Sequence, residues 1–183
     1  MSNPTRSSGY SILAQAIHWI TAAAVLCVIP IGIAMGELSP GALQNSLFDL
    51  HRSLGTLILA LAVLRVAARW IGGVPAPHAG LTRFQRTASE IAHKALIVLI
   101  LVVPLLGWAA TSAYGAPITV FGLFVLPPIL EVNRPLSEVL FRLHVIAAFT
   151  LTAVMVVHIG AALWHGVVMR DGVLSRMLPG RRG

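Results

Sequence analysis

His144 and His158 stand fourteen residues apart in one long apolar stretch, and His51 and His18 lie at comparable depths in two earlier apolar stretches. Fourteen residues is close to four helical turns, so both imidazoles leave the same helix face, roughly 21 Å apart along the axis at about 1.5 Å per residue. Imidazole is the commonest metal-ligating side chain. Two of them on one helix, each faced by another across a bundle, form a ladder with two rungs, each able to grip a metal from opposite sides. Such a ladder needs long helices and surroundings that keep water away from both rungs.

The composition supplies both. Of 183 residues, 57% are hydrophobic and only 10% charged, and the mean hydropathy is +0.85, far from the balance of a soluble domain. A membrane-spanning helix needs about 20 mostly apolar residues, and four stretches qualify: residues 10–35, 48–70, 90–113 and 137–169. The first is too long for the core of a secretory signal and lacks a convincing small-residue cleavage motif, so it reads as a retained helix. The expectation is an all-α integral membrane four-helix bundle forming a single membrane domain over residues 1–183.

Basic residues near span ends stay on the cytoplasmic side. Arg6, Arg65, Arg69, Arg83, Arg86, Lys94, Arg170, Arg176, Arg181 and Arg182 gather at one side, against Arg52, Arg134 and Arg142 at the other. Four spans return the chain to its starting side, and both ends are basic, so both termini are expected in the cytoplasm with residues 170–183 as a basic tail. The net charge of +7 then reflects topology and contact with the anionic lipid bilayer, with no nucleic-acid partner. Residues 114–136 carry Pro117, Gly122, Pro127 and Pro128 and cannot span; they are expected to fold over the outer end as a lid. Cys27 has no partner for an internal disulfide and reads as a small buried apolar residue.

Six of the seven histidines fall within the four spans, where an ionisable side chain is costly unless it meets a partner or ligand. By depth, His51 pairs with His144 at an outer level and His18 with His158 at an inner one. A ligand that needs imidazoles from both sides at two levels is a haem: flat, mostly apolar, and held by axial ligands in a bundle core. Two imidazoles leave no open position on the iron, which favours electron transfer over oxygen chemistry. No Cys-x-x-Cys-His motif is present for covalent attachment. A structural zinc site would gather four ligands at one point.

Ile17-His18-Trp19, Leu50-His51-Arg52-Ser53-Leu54-Gly55, the spacing from His93 through Pro104 to Gly107, Leu143-His144, and Val157-His158 through Trp164-His165 to Arg176-Met177-Leu178-Pro179 together resemble the bacterial cytochrome b561 family over nearly the whole chain. The chain is also similar to the di-haem cytochrome b subunits of formate dehydrogenases and nickel-iron hydrogenases. The resemblance implies two haem b groups, the inner held by His18 and His158 and the outer by His51 and His144, in a multi-pass protein of the bacterial inner membrane linked to the quinone pool. Some members of the family oxidise superoxide and pass its electron to ubiquinone. That reaction is the first expectation for this chain. The alternative is an anchor subunit carrying electrons between quinone and a dehydrogenase, hydrogenase or soluble cytochrome. A reading of another class is a histidine-lined proton or metal transporter.

Other residues carry finer expectations. His93, read as lying in the first turn of span three, and His165, seven residues after His158 and on nearly its face, would border a quinone site and assist proton uptake, or else bond haem propionates or lipid headgroups. Arg52 and Arg142 adjoin the outer ligands as propionate partners or as helix-end arginines reaching for water. With Arg134 they would attract an anion such as superoxide. Gly55, Gly107 and Gly160 would admit a close helix or macrocycle. His78, in the Pro-rich inner connection, reads as solvated.

Overall fold

The computed structural model describes residues 10–73 and 80–178; Arg6, His78, Pro179, Arg181 and Arg182 lie outside them. Four helices dominate: α1 (Ile12–Glu37), α2 (Ala42–Gly72), α3 (Arg83–Tyr114) and α4 (Arg134–Leu163), with a short hairpin of β1 (Ile118–Val120) and β2 (Phe124–Leu126) between α3 and α4. Each helix contains an apolar window able to cross a membrane, and the shortest runs 26 residues, about 39 Å at about 1.5 Å per residue against about 30 Å of hydrocarbon. Their outward faces carry large apolar side chains such as Val98, Ile146, Phe149 and Val157, as a lipid-facing surface requires.

Local chemistry sets helix ends beyond the apolar stretches. Ser11 accepts from the Ala14 N–H at 3.2 Å, and Asn133 from the Leu136 N–H at 3.1 Å. Thr82 and Gln85 form a reciprocal capping box that starts α3 seven residues before the hydrophobic run. His93 therefore sits in the third turn of α3 while keeping its place in the first turn of the apolar stretch. The last span continues from α4 through a π-helical turn, Trp164–Met169.

Helix α3 packs extensively on α4, α1 on α2, and α2 on α3. Among the described residues, α4 lacks comparable close packing with α1 or α2. Those two facing pairs are joined instead through side chains, as the histidines show below. Midway along the bundle, Ala24, Val25, Ile58, Ala62, Ile100 and Leu151 form the buried core. Leu151 lies seven residues from both His144 and His158, so an apolar layer separates the two levels.

At one end the hairpin lies against α2, with Ile118 and Val120 buried and register Ile118↔Leu126, Thr119↔Val125 and Val120↔Phe124. Its turn holds Phe121 and Gly122 at φ of 49° and 72°, closed by Leu123 N–H donating to the Val120 carbonyl at 2.9 Å; positive φ at both central positions suits the strand twist but strains a phenylalanine. Ser53, 2% exposed, holds that strained residue: its Oγ accepts from the Phe121 N–H at 2.9 Å and lies 2.8 Å from the Asp49 carbonyl. Ser53→Ala leaves this N–H without its acceptor, a cost of about 1–3 kcal/mol. Amide exchange in residues 118–126 should quicken by roughly fivefold or more with α3 unaffected; unchanged exchange would refute the tether.

At the opposite end the chain after α4 turns back onto α1. Trp19 Nε1 donates to the Met177 carbonyl at 2.8 Å, and Gln15 Nε2 to the Arg176 carbonyl at 3.2 Å. The expected basic tail is thus docked as far as Leu178. Cys27 is exposed on the bundle surface, which corrects its expected burial: α1 turns Ala24 and Val25 inward and Cys27 toward lipid.

Candidate functional site

The two gaps beside α4 are bridged by imidazoles. At the hairpin end the rings of His51 and His144 have centroids 6.0 Å apart. At the tail end those of His18 and His158 are 6.4 Å apart. Two metal–nitrogen bonds of about 2 Å plus the distance from each nitrogen to its ring centre put trans imidazoles about 6 Å apart, so both separations suit a metal gripped from two sides.

The hairpin-end rings are seated on glycines. A Cβ on Gly32 would stand 2.9 Å from His51 Cε1 and 3.2 Å from its Nδ1, and one on Gly107 would stand 3.2 Å from the same two atoms of His144. In both rings the Nδ1–Cε1 edge lies nearest the glycine, with His51 Nε2 further off at 4.0 Å from the Gly32 Cβ position. His144 Nδ1 donates to the Val103 carbonyl at 2.9 Å, one turn before Gly107, which fixes the proton on Nδ1 and leaves the Nε2 lone pair free. A metal-ligating histidine typically donates its other ring N–H to a carbonyl or carboxylate in this way, which fixes its tautomer and orientation. His51 Nδ1 is buried without a hydrogen-bond partner of good geometry. This level fits a bis-imidazole haem.

The tail-end level is more crowded. His93 joins it, its ring centroid 5.2 Å from that of His158, and its Nδ1 lies 3.2 Å from Ser89 Oγ. Arg65 Nη2 donates to His18 Nδ1 at 3.0 Å. A neutral ring that accepts at Nδ1 carries its proton on Nε2, the nitrogen a metal would use. The spacing fits a haem here too, provided Arg65 finds another acceptor.

Other expected residues fall elsewhere. His165 lies in the π-helical turn, and its Nδ1 pairs with the Asp171 carboxylate. Arg52 pairs with Asp49 at 3.4 Å and lies 5.4 Å from the Phe48 ring. Arg134 covers the Tyr114 ring at 3.7 Å. Arg142 is exposed, because a residue two positions before His144 leaves α4 on nearly the opposite face. Gly55 and Gly160 would place a Cβ in open space, so neither makes room for a neighbouring side chain or helix. Gly32 and Arg65 are the residues that sequence reasoning passed over. A glycine at the depth of His51, and an arginine seven residues inside the end of α2, were the available signals.

Four membrane-crossing helices with imidazole pairs at two depths define a membrane cytochrome b architecture. The chain matches the prokaryotic cytochrome b561 family over residues 9–180 and belongs to it. It is similar to cytochrome b561 homolog 2 of Escherichia coli, 30% identical over 97% of this chain and 95% of that protein. It is also similar to cytochrome b562 of Cereibacter sphaeroides, 29% identical over 95% of this chain and 98% of that one, and to a protein of Yersinia pestis named probable superoxide oxidase CybB, 28% identical over 95% of this chain and 98% of that one. The chain is therefore a multi-pass bacterial membrane protein of electron transport, from a family that binds haem b.

Proposed function

We propose that the chain holds two haem b groups and carries electrons from superoxide, at the hairpin end and outside the cytoplasm, to ubiquinone near the tail end. The observation that carries this reading is the placement of two imidazole pairs, 6.0 and 6.4 Å between centroids, on opposite sides of the apolar layer around Leu151. His51 and His144 hold the haem nearer the hairpin, and His18 and His158 the one nearer the tail. When bound, each would supply a reversible one-electron Fe(III)/Fe(II) couple.

The surrounding residues have separate tasks. Gly32 and Gly107 let the hairpin-end rings seat with their Nδ1–Cε1 edges against the neighbouring helices. Val103 holds the proton of His144 on Nδ1. Both termini would then lie in the cytoplasm, a placement the bias of basic residues supports. The net reaction balances as two superoxide anions giving two dioxygen molecules and two electrons, which with two protons convert ubiquinone to ubiquinol. Superoxide as donor is supported by the resemblance to the Yersinia pestis protein named probable superoxide oxidase and by Arg52, Arg134 and Arg142 near the hairpin end. His93 and His165 stand toward the cytoplasmic side, where quinone and protons would meet.

The test is reduction of ubiquinone by enzymatically generated superoxide with the purified protein in lipid. Ubiquinol formation sensitive to superoxide dismutase is expected. Haem-loaded protein that leaves ubiquinone oxidised under that flux contradicts the assignment. Separately, His93→Ala and His165→Ala should keep both haems while quinone reduction falls by about 100-fold or more, the lower end for losing a positioned proton-transfer group. If either variant loses a haem, the residue is structural or ligating instead.

A further inference from the structure

Arg65 is an arginine in a membrane-spanning helix that turns into the bundle rather than out to the headgroups. Its guanidinium donates to His18 Nδ1, and among the described residues no carboxylate pairs with it. It stands close enough to His158 and His93 to act on both electrostatically, and Arg69, one turn further along α2, does the same to His93. A cation at this depth is costly without an anionic partner, and an imidazole provides none.

The hydrogen bond to His18 also conflicts with the task assigned to that ring. An arginine only donates. If His18 ligates through Nε2, its proton moves to Nδ1, and Arg65 then faces a donor. The guanidinium must exchange that contact for an acceptor at the same level. Two arginines spaced i, i+4 share a helix face, and the planar fork of each matches a carboxylate in two-pronged fashion.

We infer that Arg65, assisted by Arg69, is a carboxylate-binding site that takes the propionates of the haem held between His18 and His158. The inference rests on the di-haem reading. Arg65 acts as a positioning residue: it gains an anionic partner, the carboxylates gain a cation inside the bilayer, and His18 Nδ1 is released to carry its proton.

The experiment is a redox titration of the purified holoprotein, with haem content and resonance Raman propionate bands recorded on the same samples, for the parent, Arg65→Gln and Arg65→Lys. In Arg65→Gln one of the two haem components should shift toward the ferric form by about tenfold in its ferric/ferrous ratio at fixed potential, about 59 mV for one electron, because a nearby cation favours the reduced iron. The propionate bands should move with it, and the other component should titrate as in the parent. Arg65→Lys, which keeps the charge and loses the fork, should stay within about threefold of the parent while still displacing the bands. Unchanged titration and bands overturn the inference and leave Arg65 to a lipid headgroup. A shifted titration with unmoved bands also overturns it, confining Arg65 to His18. A parent without haem refutes the di-haem reading instead, so the two failures are distinct. If Arg65→Gln does not accumulate, the bands of Arg65→Lys decide alone.

Discussion

In a His51→Ala chain, haem content should fall from about two per protein to about one, with the remaining haem keeping its low-spin spectrum, because bis-imidazole ligation persists only at the other level. His144→Ala should give the same spectrum, and His18→Ala and His158→Ala the complementary one. The physical ground is the separation of the levels. Ala24, Val25, Ile58, Ala62, Ile100 and Leu151 fill the space between them, so a cavity opened at one ring is screened from the other by a packed layer. Weakening a ligand's supporting contacts alone typically costs 10–100-fold in affinity; removing the ligand outright should exceed that and empty the level. Optical difference spectra of dithionite-reduced protein, normalised to chain concentration, check this. If His51→Ala and His18→Ala were to lose the same haem, the pairing would be wrong.

The second large effect concerns a residue with no reactive group. Gly32→Ala places a methyl 2.9 Å from His51 Cε1, closer than such contacts occur, and the neighbouring Nδ1 at 3.2 Å leaves the ring no room on that edge. Overpacking of this kind costs about 1–3 kcal/mol, corresponding to roughly 5- to 150-fold in affinity for whatever the ring holds. The hairpin-end haem should become substoichiometric or partly high-spin. Gly107→Ala, 3.2 Å from His144, should be milder. Gly36→Ala is the control: the same helix, the same change, and nothing within 4 Å. Haem content and the high-spin fraction read the series, and equal behaviour of Gly32→Ala and Gly36→Ala would remove the glycine seat from the account.

The four spans were legible because lipid leaves a long, low-resolution signal: about 20 apolar residues in a row admit few other structures. The histidine pairs were legible because helical period and depth are arithmetic on the sequence. What surrounds them was not. Gly32 and Gly55 are equally small, and only the rotation of α1 against α2 decides that the first lies under an imidazole while the second meets open space. Arg65 counted toward topology because a basic residue near a span end usually marks a side, and its turn inward toward His18 depends on how α1 and α2 pack. The pairing of His165 with Asp171 depends on the π-helical turn and the chain that follows it, which a 3.6-residue period does not describe. The start of α3 was missed because an apolar run does not contain the capping box that precedes it. Cys27 was misplaced for the opposite reason: in lipid, apolar residues line both faces of a helix, so hydrophobicity does not say which face is inside.

On the proposed function, two imidazole pairs hold two haem groups at two depths of one chain. A pyridine haemochrome assay on the purified protein, with chain concentration from amino-acid analysis, measures it directly. About two b-type haems per chain is the expected result for two bis-histidine levels. One haem per chain contradicts the two-level account, and none contradicts electron transfer itself, leaving the histidines to a transport role.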